Sequence, residues 1–298
     1  MYALKNYLLS MQSHWMINQP LYEAVQQSMP MIARYTGREG LERLETTPAA
    51  KMAKELFPGI YRVPLFRRQF CKLMIEEIGH MVEEIPFQPN DSEDTLRQIP
   101  EIVLREHSPE LYRNMWFVVN TVINPIIISL FQRECRDIAS VQIANYNLAE
   151  KKQGAWHHDE SADISVVVPL NTGAYKGGGT EFHRHGVLKP LPSGHALIFP
   201  SFTNLHRGLE VVSGDRYLLV FWLFNKKRTI DLYENMITEW LHKSVDNDTG
   251  FRHYNRVFKK TGVIKMIRIT ENVFTKETLK EGTDALSPGE IFFYEGRH

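Results

Sequence analysis

The chain is poor in cysteine and has no excess of either charge. Cys71 and Cys135 are its 2 cysteines in 298 residues, so one disulfide could be drawn, but neither a disulfide framework nor a thiolate zinc site could be built. Two buried free thiols are the expected state. Lys plus Arg and Asp plus Glu both number 35, so no bulk field favours nucleic acid or an anionic membrane surface. A local basic patch stays open.

The sequence also lacks a recognisable targeting signal. Residues 1–20 have no basic region followed by an apolar stretch and a small-residue cleavage site, so we expect a cytoplasmic protein. The uncharged run 115–131 contains Asn120, Asn124 and Pro125 and is short for a membrane span. It predicts a buried helix kinked at the proline, and no membrane partner.

Hydrophobic periodicity divides the chain into three parts. Residues 1–57 predict a helical segment, 58–229 the main domain and 230–298 a mixed extension to which the sequence assigns no role. An amphipathic helix is predicted at 66–85, and the extension predicts a helix near 230–243 and a strand at 263–270. From about residue 140 the period becomes strand-like, with short β-rich runs at 141–147, 163–171, 179–186, 195–201 and 216–224. Such spacing predicts a mainly β sandwich or barrel with flanking helices.

Two imidazoles and a carboxylate have the spacing of a metal site. We predict that the His-x-Asp pair of WHHDES (156–161) lies on one strand, which points His157 and Asp159 to one face, and His206 follows 49 residues after His157. The three predict a two-His-one-carboxylate facial triad, which leaves coordination positions open and suits Fe(II). No cysteine lies nearby, which argues against structural zinc. His158 should point to the opposite face and is excluded as a ligand.

Arg216 suggests which cosubstrate would bind beside the metal. It lies ten residues after His206, at the start of a very apolar strand. An unpaired guanidinium is costly to bury there, so Arg216 should have an anionic partner. The planar fork of arginine binds a carboxylate bidentately. Near iron, Arg216 would therefore bind the distal carboxylate of 2-oxoglutarate.

With these motifs the chain resembles the catalytic domain of procollagen lysyl hydroxylases, within the prolyl and lysyl hydroxylase group. The resemblance covers roughly residues 58–224. It rests on HHDES (157–161), LN (170–171), GGGTEF (177–182) and the pattern H-x-G-L-x-x-x-x-G-x-R (206–216). It implies a double-stranded β-helix, a cupin-like jelly roll flanked by helices.

The resemblance also implies the site. Iron would be held by His157, Asp159 and His206, and 2-oxoglutarate by Arg216 with help from the hydroxyl of Tyr146. O2 would be the second cosubstrate, with ascorbate as a candidate reductant. Lysyl hydroxylases dimerise through the C-terminal part of this domain, so a homodimer is an expectation.

The chain departs from that family in several places. Valines occupy 166–168, where lysyl hydroxylases have an asparagine that contacts the cosubstrate. A second arginine ahead of the barrel has only Arg97 as a loose counterpart. No glycosyltransferase module or secretory signal is recognised in these 298 residues. The reaction is therefore better specified than the substrate.

The predicted function is hydroxylation of an aliphatic C–H, in a lysine or proline residue of a peptide or protein, or in a free amino acid. The same chemistry on nucleic acid or a small metabolite is an alternative. A non-catalytic cupin-like binding module should show a broken ligand set, and a metal hydrolase or isomerase on this fold would not need Arg216. We expect His183, His185 and His195 to occupy ordinary strand and turn positions, and Gly177–Gly178–Gly179 to form a turn and not a phosphate loop.

Overall fold

The computed structural model describes residues 13–36, 44–87, 99–149, 151–159, 162–201, 203–225, 266–269 and 291–294. It separates into two compact units, Met1–Asn225 and Lys226–His298. The predicted boundaries after residues 57 and 229 stay predictions. In the second unit the predicted strand at 263–270 is confirmed at Met266–Ile269, which pairs in parallel with Ile291–Tyr294. The predicted helix near 230–243 lies outside the described residues.

Helices precede most of the strands in the first unit. They are α1 (Gln19–Thr36), α2 (Pro48–Lys51), α3 (Arg68–Glu84), α4 (Leu104–His107), α5 (Pro109–Val118) and α6 (Asn124–Phe131), with 3-10 turns at Ser13–Met16 and Leu44–Thr46. The predicted amphipathic helix is confirmed as α3. Its buried side chains recur three and four residues apart, at Phe70, Met74, Ile78 and Met81.

The uncharged run 115–131 is an interrupted helix, as predicted. A π-helical turn, Val119–Ile123, joins α5 to α6, and Pro125 lies in the first turn of α6. Proline has no N–H and its ring displaces the preceding carbonyl, so the wider turn accommodates it. Within the described residues Pro109–Phe131 is long and apolar enough to cross a membrane by length and composition alone, and 61% of its most apolar window is buried inside the protein.

The strands form one large and two small antiparallel sheets in the first unit. They are β1 (Lys54–Phe57), β2 (Ile60–Pro64), β3 (Glu101–Val103), β4 (Asp137–Tyr146), β5 (Ile164–Pro169), β6 (Lys176–Gly177), β7 (Thr180–Phe182), β8 (Gly186–Leu188), β9 (His195–Pro200), β10 (His206–Gly208), β11 (Val211–Ser213) and β12 (Arg216–Phe224). The large sheet has 7 strands in the order β1-β2-β9-β5-β12-β4-β3, and the small sheets are β10-β7-β8 and β11-β6. Four of the five predicted runs are single strands. The run 179–186 is divided between β7 and β8 by a turn.

The large sheet is buried on both faces, and alternate residues of β12 show why. Leu219, Phe221 and Leu223 pack into the main core with the helices. Leu218 and Val220 point to the opposite face, where they pack with residues of the small sheets. Helices thus cover one face and the small sheets the other. This arrangement is the predicted double-stranded β-helix with flanking helices, and the face beneath the small sheets is called the inner face below.

Candidate metal centre and anion pocket

His157 and His206 are brought together by their main chains. The N–H of each donates to the carbonyl of the other, at 2.9 and 3.0 Å, which forms a single antiparallel bridge. The prediction that the His-x-Asp segment is a strand is wrong. His157 and His206 form an isolated bridge, and the Asp159 carbonyl accepts from the Ala162 N–H at 3.1 Å and not from a neighbouring strand. The two side chains still converge, because one bridge is enough to fix their direction.

His157, Asp159 and His206 form a compact ligand cluster. One ligand atom from each lies within 4.8 Å of the others. His157 Nε2 is 3.4 Å from Asp159 Oδ1, and His206 Nε2 is 3.7 Å from Asp159 Oδ2. Neighbouring ligands of one octahedral metal ion lie about 3 Å apart, and both His–Asp distances are within about 1 Å of that separation, so the three residues could hold one ion.

Hydrogen bonds fix which ring nitrogen of each histidine can bind a metal. His157 Nδ1 donates to the Ala155 carbonyl at 2.9 Å, and His206 Nδ1 donates to the Asn204 carbonyl at 2.9 Å. A carbonyl can only accept, so Nδ1 carries the proton in both rings and Nε2 carries the lone pair. Both Nε2 atoms face the same carboxylate.

The Asp159 carboxylate is held by the Ser165 hydroxyl, which in turn contacts Ser201. The Ser165 hydroxyl donates to Asp159 Oδ2, and Ser201 Oγ lies 2.8 Å from Ser165 Oγ. Burial disfavours the ionised form of Asp159, but the imidazoles of His206 and His157 outweigh that effect and hold its pKa below the usual range. The carboxylate is therefore ionised and ready to bind a cation.

His206 lies in an apolar environment. The ring of Phe199 is 4.9 Å from it and that of Phe182 is 5.7 Å away, between centroids. Burial, with a smaller contribution from His157, lowers the pKa of His206 to about 4. His158, which follows His157 in the sequence, is also buried, and burial lowers its pKa to about 3. It is not part of the ligand cluster. Its exclusion as a ligand agrees with this placement.

Arg216 is buried on the inner face, and no carboxylate of the described residues pairs with it. It begins β12, opposite Tyr146 on β4, and is 3% exposed. Its Nε and Nη1 atoms have no hydrogen-bond partner, and its guanidinium carbon lies 4.9 Å from the centre of the Tyr146 ring. Such a group requires an anion.

Tyr146 lies close to both Arg216 and the metal cluster. Burial raises the pKa of its hydroxyl, the Arg216 charge opposes that rise, and the Asp159 charge adds to it. A Cβ at Gly208 would collide with the Tyr146 hydroxyl. Gly208 lies two residues after His206 on β10, so the glycine of the H-x-G motif leaves the space that this hydroxyl occupies.

The glycine run 177–179 lies beside Arg216 and Tyr175. Gly178 has a φ of +72°, and a Cβ there would lie 3.1 Å from Tyr175 Cε2 and 3.2 Å from Arg216 Cδ. Tyr175 is 8% exposed and its hydroxyl has no partner. The predicted turn is therefore a short link, since Gly177 ends β6 and Gly178 and Gly179 connect it to β7, and Gly178 lies against both Tyr175 and Arg216.

Some residues of the site were not found from the sequence. Ser165 and Tyr175 carry no spacing signal, because their roles depend on which strands become neighbours. Of the three valines, Val167 faces the inner side, whereas Val166 and Val168 belong to the main core. His183 and His185 lie in the turn after β7, and His195 begins β9, as predicted. Arg97 lies outside the described residues.

Curated relatives match about half of the chain, whereas no protein-family profile matches it. A multifunctional procollagen lysine hydroxylase and glycosyltransferase of Caenorhabditis elegans is 25% identical over 175 residues, which are 56% of this chain and 24% of the relative. The human multifunctional procollagen lysine hydroxylase and glycosyltransferase LH3 is 28% identical over 173 residues, or 55% and 23%. The chain thus spans about a quarter of the length of these relatives. The resemblance to procollagen lysyl hydroxylases is confirmed.

Solved structures of prolyl hydroxylases are also similar. Prolyl 4-hydroxylases from Phytophthora capsici are 18% identical, covering 62% of this chain and 66% of that chain, with a TM-score of 0.45. A Trichoplax adhaerens prolyl hydroxylase in complex with a hypoxia inducible factor peptide fragment is 14% identical, covering 68% and 92%, with a TM-score of 0.46. The fold described above rests on the strand order of this chain itself.

Proposed function

We propose that this protein is a non-haem Fe(II)- and 2-oxoglutarate-dependent oxygenase that hydroxylates an aliphatic C–H. One observation carries the proposal. The ligand cluster of His157, Asp159 and His206 lies near a buried guanidinium, that of Arg216, which pairs with no carboxylate in the part of the chain that the structure describes. A metal held by three residues keeps positions open for small molecules, and the arginine selects one that carries a carboxylate.

The donor set fits Fe(II). Two imidazole Nε2 atoms and one ionised carboxylate are the ligands of the facial triad, and structural zinc sites prefer four protein ligands, usually with cysteine. Cys71 and Cys135 are both buried in the main core with the helices, on the opposite side of the large sheet. We infer that His157, Asp159 and His206 would hold iron.

The pocket beside the cluster fits 2-oxoglutarate. The Arg216 guanidinium, whose Nε and Nη1 have no partner among the described residues, would bind the distal carboxylate, with the hydroxyls of Tyr146 and Tyr175 as candidate donors beside it. Val167 and Leu218 give the pocket an apolar wall. When bound, Fe(II) and 2-oxoglutarate would supply the oxidation, in which O2 converts the 2-oxo acid to succinate and CO2 and places one oxygen atom in the substrate C–H.

The residues around the cluster would position the ligands and exclude water. Ser165 holds the Asp159 carboxylate in its orientation, and the Phe182 and Phe199 rings pack on His206. Fixed ligands need little reorganisation during the reaction, and an apolar surround strengthens each electrostatic contact.

For the substrate we propose a lysine or proline residue in a peptide or protein. The support is the similarity to relatives whose names describe procollagen lysine hydroxylases. Free lysine or proline would present the same C–H bonds, so the two substrate classes call for separate tests. Nucleic acid and small metabolites are the competing classes.

Succinate formation under air tests the reaction and mass spectrometry tests the substrate. The protein is supplied with Fe(II), 2-oxoglutarate and ascorbate, and with a lysine-rich peptide, a proline-rich peptide or the free amino acids. We expect succinate release that requires O2, together with the gain of one oxygen atom by a peptide. His206→Ala should abolish both, while His107→Ala, at a partly exposed histidine on α4, should retain them. Succinate release that persists in His206→Ala would contradict the proposal.

A further inference from the structure

Asn171 lies where the main chain of β5 leaves the large sheet. The β5–β12 ladder ends with the pair Pro169 and Leu218, after which the Leu170 N–H still donates to the Tyr217 carbonyl at 3.0 Å. The Ala174 N–H then donates to the Asn171 carbonyl at 3.0 Å, so the chain turns away. The segment of β12 that carries Arg216 therefore has no main-chain neighbour from β5.

The side-chain amide of Asn171 takes the place of that missing strand. Its Nδ2 donates to the Asp215 carbonyl at 2.7 Å, and its Oδ1 accepts from the Tyr217 N–H at 3.0 Å. One amide thus bonds to the residues immediately before and after Arg216. On the other side, Arg216 pairs with Tyr146 of β4. The Arg216 backbone is held from both sides.

The guanidinium of Arg216 is not fixed by hydrogen bonds of this kind. Within the described ranges Nε and Nη1 have no hydrogen-bond partner, and the side chain is directed by packing against the Tyr146 ring and Gly178. The direction of the guanidinium is therefore set largely by the backbone from which it projects. Releasing that backbone would spread the guanidinium over several positions, and a bidentate contact with a carboxylate tolerates little displacement.

We propose that Asn171 is a positioning residue for the 2-oxoglutarate pocket, which acts by fixing the backbone on both sides of Arg216. The inference rests on the proposed function, since the pocket is assigned there to 2-oxoglutarate. It adds a role for a side chain that touches neither the metal cluster nor the guanidinium.

Thr172 provides a matched control in the same loop. Its N–H donates to Ser193 Oγ at 2.9 Å and its hydroxyl donates to the Leu191 carbonyl at 2.7 Å. These bonds anchor the loop to the segment before β9 and do not reach β12. Thr172→Val loosens the loop but keeps the amide of Asn171, so it separates general loosening from the specific contact.

The test is calorimetric titration of 2-oxoglutarate into the protein loaded with Mn(II), a redox-inert substitute for Fe(II). We expect Asn171→Ala to bind 2-oxoglutarate about tenfold more weakly, the effect of losing one to two net hydrogen bonds. Mn(II) affinity should stay within about twofold, since the cluster makes no contact with the amide. Asn171→Gln, which displaces the amide by one methylene, should also weaken binding and serves if the alanine variant does not fold. Thr172→Val should bind as the wild type does.

Amide hydrogen exchange gives a second readout that needs no ligand. Tyr217 N–H donates to Asn171 Oδ1, so its exchange should accelerate in Asn171→Ala and not in Thr172→Val. Unchanged 2-oxoglutarate affinity in both Asn171 variants, or an equal loss in Thr172→Val, would overturn this inference alone. A wild-type protein that binds Mn(II) but not 2-oxoglutarate would overturn the proposed function, and this inference with it.

Discussion

Single hydrogen bonds decide how the metal cluster is oriented. The two Nδ1–carbonyl bonds set the tautomers of His157 and His206, and the Ser165 hydroxyl fixes one oxygen of Asp159. Such partners of metal ligands commonly change metal affinity by about 10- to 100-fold when removed. The groups that orient the three cluster residues are therefore part of the site.

Ser165→Ala should therefore weaken metal binding. The substitution removes the donor to Asp159 Oδ2 and leaves the carboxylate free to rotate away from His206. We expect Fe(II) affinity to fall about tenfold, measured anaerobically by competition with a chelator. Ser140→Ala is the matched control, because the Ser140 hydroxyl bonds to Gln142 on β4 and not to the cluster. Equal affinities in the two variants would show that the serine contact does not orient the ligand.

Residue types at fixed spacing made the cluster of His157, Asp159 and His206, and Arg216, recognisable from the sequence. A facial triad demands two imidazoles and a carboxylate, and a buried arginine demands an anion, so both left a local signal. Ser165, Tyr175 and the amide of Asn171 left none, since each acts across strands that are distant in sequence. The structure alone reveals those contacts.

At the scale of secondary structure, β12 contributes to both sides of the large sheet in the first unit. Its alternate residues face the helical core and the inner face, so one strand carries both stability and the anion pocket. The apolar alternation of this strand made it predictable. The His-x-Asp segment was predicted as a strand and is a single bridge between His157 and His206. Sequence pattern alone does not show where pairing stops.

Substitutions on the two faces of β12 should have different effects. Leu219 is fully buried against the helices, so Leu219→Ala should lower the free energy of unfolding by about 2–5 kcal/mol through lost burial and a cavity. Urea titration measures this loss. Because Leu219 points away from the inner face, 2-oxoglutarate affinity in the folded fraction should stay within about twofold of wild type. A fall in affinity without a loss of stability would contradict the assignment of faces.

At the scale of the whole molecule, the two cysteines are structural. Both are free and buried, as expected from the sequence, and burial raises the pKa of Cys71 to about 12 and that of Cys135 still further. The thiolate is the reactive form, so neither should react while the protein is folded.

Thiol titration checks this expectation. At pH 8 the native protein should react with an aromatic disulfide reagent only as fast as it unfolds, and in denaturant both thiols should react. Rapid modification of the native protein would contradict the burial of one cysteine. Failure to titrate two thiols in denaturant without a reductant would indicate a disulfide.

Anaerobic spectroscopy tests whether iron and 2-oxoglutarate bind together at this site. Fe(II) and 2-oxoglutarate are added to metal-free protein, and the weak visible charge-transfer band of a chelated 2-oxo acid is recorded. We expect this charge-transfer band in the wild type and its absence in His206→Ala. In Arg216→Lys, which keeps the charge but loses the fork, the band should require more 2-oxoglutarate to saturate. Bound iron without a band in the wild type would contradict the proposal that 2-oxoglutarate binds the metal at this site.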